Sequence, residues 1–137
     1  MQDTIDSLLT HIKTQYTDST FQTVDLVADE FDSKGEVRRT IKLPALIGTV
    51  PEARISGQES NMSALLYVIT ESLSLRKKQS GRNNLEASSA LVRWLVKNRM
   101  FQGLDRCYRI NMPINVQIWD ITPRHCIVRI GLEIIEQ

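Results

Sequence analysis

The order of apolar and polar residues divides this chain into stretches with two different periods. Near the start, Ile5, Leu8, Leu9, Ile12 and Tyr16 fall within an arc of about 100° at 3.6 residues per turn, which predicts an amphipathic helix. Asp3 stands where it can cap the free amides, with Asp6 three positions later as an acidic form of the capping box. His11 lies off the stripe and is expected to be exposed rather than to act as a ligand. Residues 17–36 are polar and acidic, and read as a loop with one short strand around 21–27.

From Val37 the period falls to two. Val37, Ile41, Leu43, Ala45 and Ile47 share one face, with Arg38, Lys42 and Pro44 on the other. Pro44 cannot donate to a ladder, which points to an edge position or a bulge. A further extended stretch is expected at 53–55. Residues 64–69 are apolar on both faces, as expected of a central strand covered on both sides. A basic surface loop at 75–84 then leads into a second helix over 85–102, with Asn83 or Asn84 as its cap and Gly103 as its stop.

The apolar residues of that second helix spread over about 200°, more than one sheet contact needs. Either the helix is sandwiched within the monomer, or Trp94 and its neighbours meet another subunit. The last third alternates again. Ile110, Met112, Ile114, Val116 and Ile118 face one way and, after a turn at 122–124, so do Cys126, Val128, Ile130, Leu132 and Ile134. These elements predict an α+β fold, with a mixed, largely antiparallel sheet of four to five strands, two flanking helices and a C-terminal β-hairpin. At 137 residues the chain is expected to form one domain, 1–137.

Charge changes this picture in one respect. The net charge is +1, which excludes a polyanion binder driven by bulk charge, but residues 1–36 hold eight acids against two lysines and the remainder is basic. Such a division suits a molecule with one negative and one positive face, able to assemble head to tail. No run of 18 apolar residues exists and the start is acidic, so no membrane span or signal peptide is expected, and folding in a cytoplasm is. Cys107 and Cys126 are expected as free thiols.

Candidate chemistry is sparse. The glycines are too scattered for a dinucleotide fingerprint or a P-loop. Two histidines and two cysteines on different elements lack metal-site spacing. His125 and Cys126, adjacent on a strand, point to opposite faces and cannot form a dyad. The acidic set Asp25, Asp29, Glu30 and Asp32 offers hard oxygen ligands without the glycine or spacing of a calcium loop. The basic loop of Arg76, Lys77, Lys78 and Arg82 lacks interleaved aromatic residues, which argues against sequence-specific nucleic-acid recognition. No catalytic residue, cofactor or metal is expected.

The layout carries more than any motif. An amphipathic helix precedes a strand containing Leu43-Pro44-Ala45, then an apolar strand over 64–74 that ends in Ser72-Leu73-Ser74-Leu75-Arg76. A basic loop, a helix rich in Ala and Leu and a closing hairpin follow. This order and size, over residues 5–136, resemble the small tail proteins of Mu-like prophages and, more broadly, the tail terminator (tail-completion) proteins of long-tailed phages. The resemblance implies a non-enzymatic structural virion protein, assembled in the host cytoplasm as a ring, usually of six subunits. Such a ring caps the tail tube, ends its polymerisation and offers the surface on which the head joins. Implied partners are further copies of the chain, the tail tube, a sheath protein in a contractile tail, and a head-completion protein; no membrane is among them.

From charge and exposure, the candidate contacts to a neighbour or to the tube are Arg76, Lys77, Lys78, Arg82, Trp94, Asp29 and Glu30. The alternatives are a cytoplasmic binding or adaptor module, or a small metal-dependent nuclease centred on the acidic cluster.

Overall fold

The computed structural model describes residues 2–16, 21, 23–26, 42–56, 59–71, 77–121 and 125–136. The elements are α1 (Gln2–Gln15), β1 (Thr23–Leu26), β2 (Ala45–Ser56), β3 (Glu59–Glu71), α2 (Lys77–Lys97), β4 (Met100–Gln102), β5 (Cys107–Ile121) and β6 (His125–Glu136). The fold is α+β. Six strands make one mixed sheet in the order β1-β2-β3-β6-β5-β4, in which only the β1–β2 pair is parallel. The C-terminal hairpin and the short strand near residue 21 are both present, and the sixth strand is β4, which the apolar pattern had merged into the second helix.

Both helices lie on one face. The stripe of α1 is buried as its period requires, with Ile5, Leu8, Leu9 and Ile12 all in the main core. They meet Leu46, Ala64, Leu66 and Val68 from β2 and β3, Val128 to Ile134 at alternate positions of β6, and Leu91 and Leu95 of α2. A fully buried leucine or isoleucine contributes roughly 1.5–3 kcal/mol, so this layer dominates stability. Helix α2 rests on β3, β6 and β5 in the middle of the sheet, whereas α1 touches β1 and β2 near one edge and β4 at the other. One helix can reach both edges only if the sheet curls around the helical side. Gly48 permits the approach at β2, because a Cβ there would come within 3.1 Å of Ile5 Cδ1 and 3.3 Å of Leu66 Cδ2.

Several boundaries differ from the sequence expectations. Helix α1 begins at Gln2, so Asp3 is inside its first turn rather than its cap. Pro44 immediately precedes β2, and β2 is neither an edge strand nor one-sided: it pairs on both sides, and Leu46 is as deeply buried as Ala45 and Ile47. Its bulge falls further along, between Thr49 and Glu52. Helix α2 starts at Lys77, so most of the expected basic loop is helix, and it ends at Lys97, so Gly103 is not its stop. Gly103 instead belongs to the β4–β5 turn, where its amide donates to the Arg106 carbonyl at 2.7 Å.

Asn84 is not a cap either. It is fully buried in α2 and its Nδ2 donates to Val68 O (2.9 Å), Cys126 O (2.8 Å) and Thr70 Oγ1 (3.0 Å), while its Oδ1 accepts from Ser88 Oγ (2.9 Å). A polar residue is tolerated there because both ends of its amide are satisfied.

Candidate functional site

The candidate contact residues fall in different places. Lys77 and Lys78 form the start of α2, with Arg82 one turn later and no acidic residue in the first turn. Arg76, Asp29 and Glu30, with the rest of the acidic segment from 27 to 36, lie outside the described residues.

Trp94 is half-buried between the helices, tilted against His11 (4.9 Å between ring centres) and Tyr16 (5.3 Å). His11 is therefore half-buried rather than exposed. It stacks on Phe101 at 5.8 Å and donates from Nε2 to the Asn98 carbonyl at 3.1 Å. Phe101 continues the stack onto Tyr108 at 5.3 Å. These rings join α1 to the end of α2 and to β4, which explains the width of the α2 apolar surface: Trp94 faces α1 within the monomer. Periodicity missed this, because His11 belongs to the second flank of α1, which the end of α2 and the returning β4 cover together.

Around the same corner the surface is apolar and cationic. Leu104 is 86% exposed, Met100 59% and Val96 44%. Arg93, Lys97, Arg99, Arg106 and Arg109 are exposed beside them in sequence, with Asp105 the acid among them. Arg106 is paired with Glu136 at 2.9 Å. Neither cysteine is in a disulfide: Cys107 is exposed and donates to Gln102 Oε1 at 2.9 Å, and Cys126 is buried. His125 and Cys126 occupy successive positions of β6 and hence opposite faces.

The sheet's second face is defined by register. Asn111, Glu133 and Ser63 form one cross-strand row on it, and Asn115, Gly131 and Leu65 the next. Ala45, Ile47, Ile69 and Ile127 make a small buried cluster at one end of this face, with Leu43 and Tyr67 against it. Toward the other end β5 bulges between Asn111 and Asn115, a segment that includes Pro113. Beside the bulge is a groove of about 440 Å³, with Leu65 and Pro113 among its apolar walls and Asn61, Ser63, Asn115 and Glu133 as its polar residues. Two strands pack no nearer than sheet geometry allows, so a bulge opposite a glycine opens space that an even ladder would fill.

Among the described residues no three His, Cys, Asp or Glu side chains converge as a metal site would need. Also among them, no helix is long and apolar enough to cross a membrane. No family model matches the chain, and no curated protein matches it.

Proposed function

We propose that this protein is a structural, non-enzymatic component of a phage virion, a tail terminator that caps the tail tube, ends its polymerisation and presents the surface to which the head is joined. The observation that carries the reading is the placement of charge against helix electrostatics. Lys77 and Lys78 open α2, where the macrodipole disfavours cations by roughly 0.3–1 kcal/mol each, and no acidic residue stands in that first turn. Residues that cost stability where they stand are best explained by contacts outside the monomer. Val96, Met100 and Leu104 are exposed as well and leave apolar side chains open to a partner. The α+β layout agrees with the family that the sequence resembles.

In this proposal the subunits form a ring, six in the resembled family, through head-to-tail contacts that bring the acidic N-terminal part of one copy to the basic surface of the next. Arg76, Lys77, Lys78 and Arg82 face a neighbour or the tube, and Asp29 and Glu30 supply the acidic partner. The tail tube, a sheath in a contractile tail and a head-completion protein complete the partners, in the virion and in the host cytoplasm during assembly.

The test is deletion of the coding sequence from an inducible prophage, followed by electron microscopy of the particles. Tails of irregular, excessive length and unjoined heads are expected. Normal tails on normal particles would sink the proposal and leave the adaptor alternative. Metal-dependent DNA cleavage abolished by Asp29→Ala with Glu30→Ala would instead establish the nuclease alternative.

A further inference from the structure

We propose that the outer edge of β5 over residues 114–118 docks on the same edge of a second copy of this chain, as an antiparallel strand pair about a two-fold axis. β5 is 15 residues long and pairs with β6 along most of that length, yet β4 covers its outer side over 107–109 alone. Among the described residues no strand lies beyond β5 from 112 to 118.

Two observations fix which backbone groups face outward there. The Ile110 amide donates to the Arg99 carbonyl at 2.8 Å, so even-numbered residues of β5 turn their backbone groups outward and odd-numbered ones toward β6. β6 pairs with β3 without a break, so the same alternation holds past the bulge, where Asn115 and Gln117 stand opposite Gly131 and Arg129. The N–H and C=O groups of Ile114, Val116 and Ile118 therefore point away from the sheet. Such a row takes an extended strand.

The side chains specify which strand. Residues 111–118, Asn-Met-Pro-Ile-Asn-Val-Gln-Ile, carry no charge, in a chain of which 24% is charged. Edges that must stay unpaired are commonly blunted by lysine or another charge, and this one is not. Ile114 and Val116 are half-buried against the main core, and Ile118 continues their row as an exposed side chain. Asn115 and Gln117 are exposed on the other face. A fitting occupant repeats this apolar–polar alternation, brings no charge and has free outward backbone groups of its own. β5 of a second copy meets all three conditions. Centred on Val116, the two-fold sets Val116 on Val116, Ile114 on Ile118 and Asn115 on Gln117. Apolar side chains then meet on one face and amides on the other, with no like charges opposed. Pro113, which has no N–H, and the bulge between Ile118 and Asp120 end the pairing on either side and so hold its register. This contact goes beyond the ring reading and does not rest on it, since it uses neither the acidic N-terminal part nor the cationic start of α2.

The experiment measures amide hydrogen exchange of the isotope-labelled full chain from micromolar to millimolar concentration, with sedimentation equilibrium on the same samples. So short a contact is well below standard interface size, and a monomer–dimer Kd on the order of 100 μM is expected. The Val116 and Ile118 amides should gain at least about threefold protection at the highest concentration, while those of Asn115 and Gln117, turned toward β6, stay unchanged. Ile118→Lys, at an exposed position, should keep the melting temperature within a few degrees of the parent and abolish both the dimer and the added protection. Ile118→Val should retain both. A chain that stays monomeric at millimolar concentration, a dimer without added protection at Val116 and Ile118, or a dimer undiminished in Ile118→Lys would overturn the assignment.

Discussion

Asn84 gives the sharpest test of how α2 is held to the sheet. Its amide reaches two backbone carbonyls on different strands, Val68 O and Cys126 O, and the Thr70 hydroxyl, while Ser88 donates to its oxygen. Its two hydrogens are shared among three acceptors, so Asn84→Ala removes the equivalent of three hydrogen bonds once Ser88 is included. At about 1 kcal/mol net each, the loss is roughly 3 kcal/mol. The better helix propensity of alanine returns about 0.5 kcal/mol, and the small void left behind takes a similar amount. The expected result is a destabilisation of about 2–4 kcal/mol, read from the urea midpoint at unchanged m-value. For a chain of this size that corresponds to a melting temperature lower by roughly 10 °C.

Asn84→Asp should be worse at neutral pH, because a carboxylate would face three oxygens with no hydrogen to give. Burial and the facing acceptors raise the pKa of such an acid above its unfolded value of about 4. Its contribution is then intact below that value and lost as pH rises, so the gap between Asn84→Asp and the parent should shrink on acidification. Ser88→Ala alone should cost about 1 kcal/mol, and the Asn84→Ala, Ser88→Ala double variant less than the two singles together. An Asn84→Ala protein within ~1 kcal/mol of the parent would refute the idea that this amide pins the helix.

Gly48→Ala should cost about 1–3 kcal/mol in thermal or urea denaturation, since the new methyl would press on Ile5 and Leu66 and displace α1; a neutral result would mean that α1 is not tightly seated on β2. Changing Arg76, Lys77, Lys78 and Arg82 together to Gln should leave the melting temperature unchanged or raise it slightly, because Lys77 and Lys78 stand in the first turn of a helix, where cations are disfavoured. The same variant should impair tail completion in phage, and normal infectious tails would remove these residues from the proposed contact. Replacing Met100 and Leu104 with Ser should leave stability within about 1 kcal/mol, as both are exposed, yet reduce any self-association measured at high protein concentration. Undiminished association would place the subunit contact elsewhere.

What could be read from sequence was what depends on one element and its own period. The α1 stripe and the alternation of β6 follow from where apolar side chains must go and are buried as expected, whereas β3, expected to be covered on both sides, is covered by helices on one face only, leaving Leu65 and Tyr67 half-buried on the other. The basic segment before Asn84 reads as a loop because it carries no apolar periodicity. It lies within α2, whose buried contact at Asn84 is polar and so leaves no apolar period, and the acceptors for Asn84 come from strands brought together only by the β3–β6 pairing. β4 is three residues long, too short to show any period, and exists because the outer edge of β5 offers it a partner. His11 looks exposed on an isolated helix, and it is covered by Trp94 of α2 together with Phe101 on β4, which the curl brings back to α1.

The groove belongs wholly to the tertiary level. Alternation tells that a strand has two faces, but not which face the helices take. Nor does it tell that Gly131 will stand between Asn115 and Leu65 beside a bulge. Register and the choice of covered face are set by the whole sheet at once, because a single-residue slip would turn every core side chain of β6 outward.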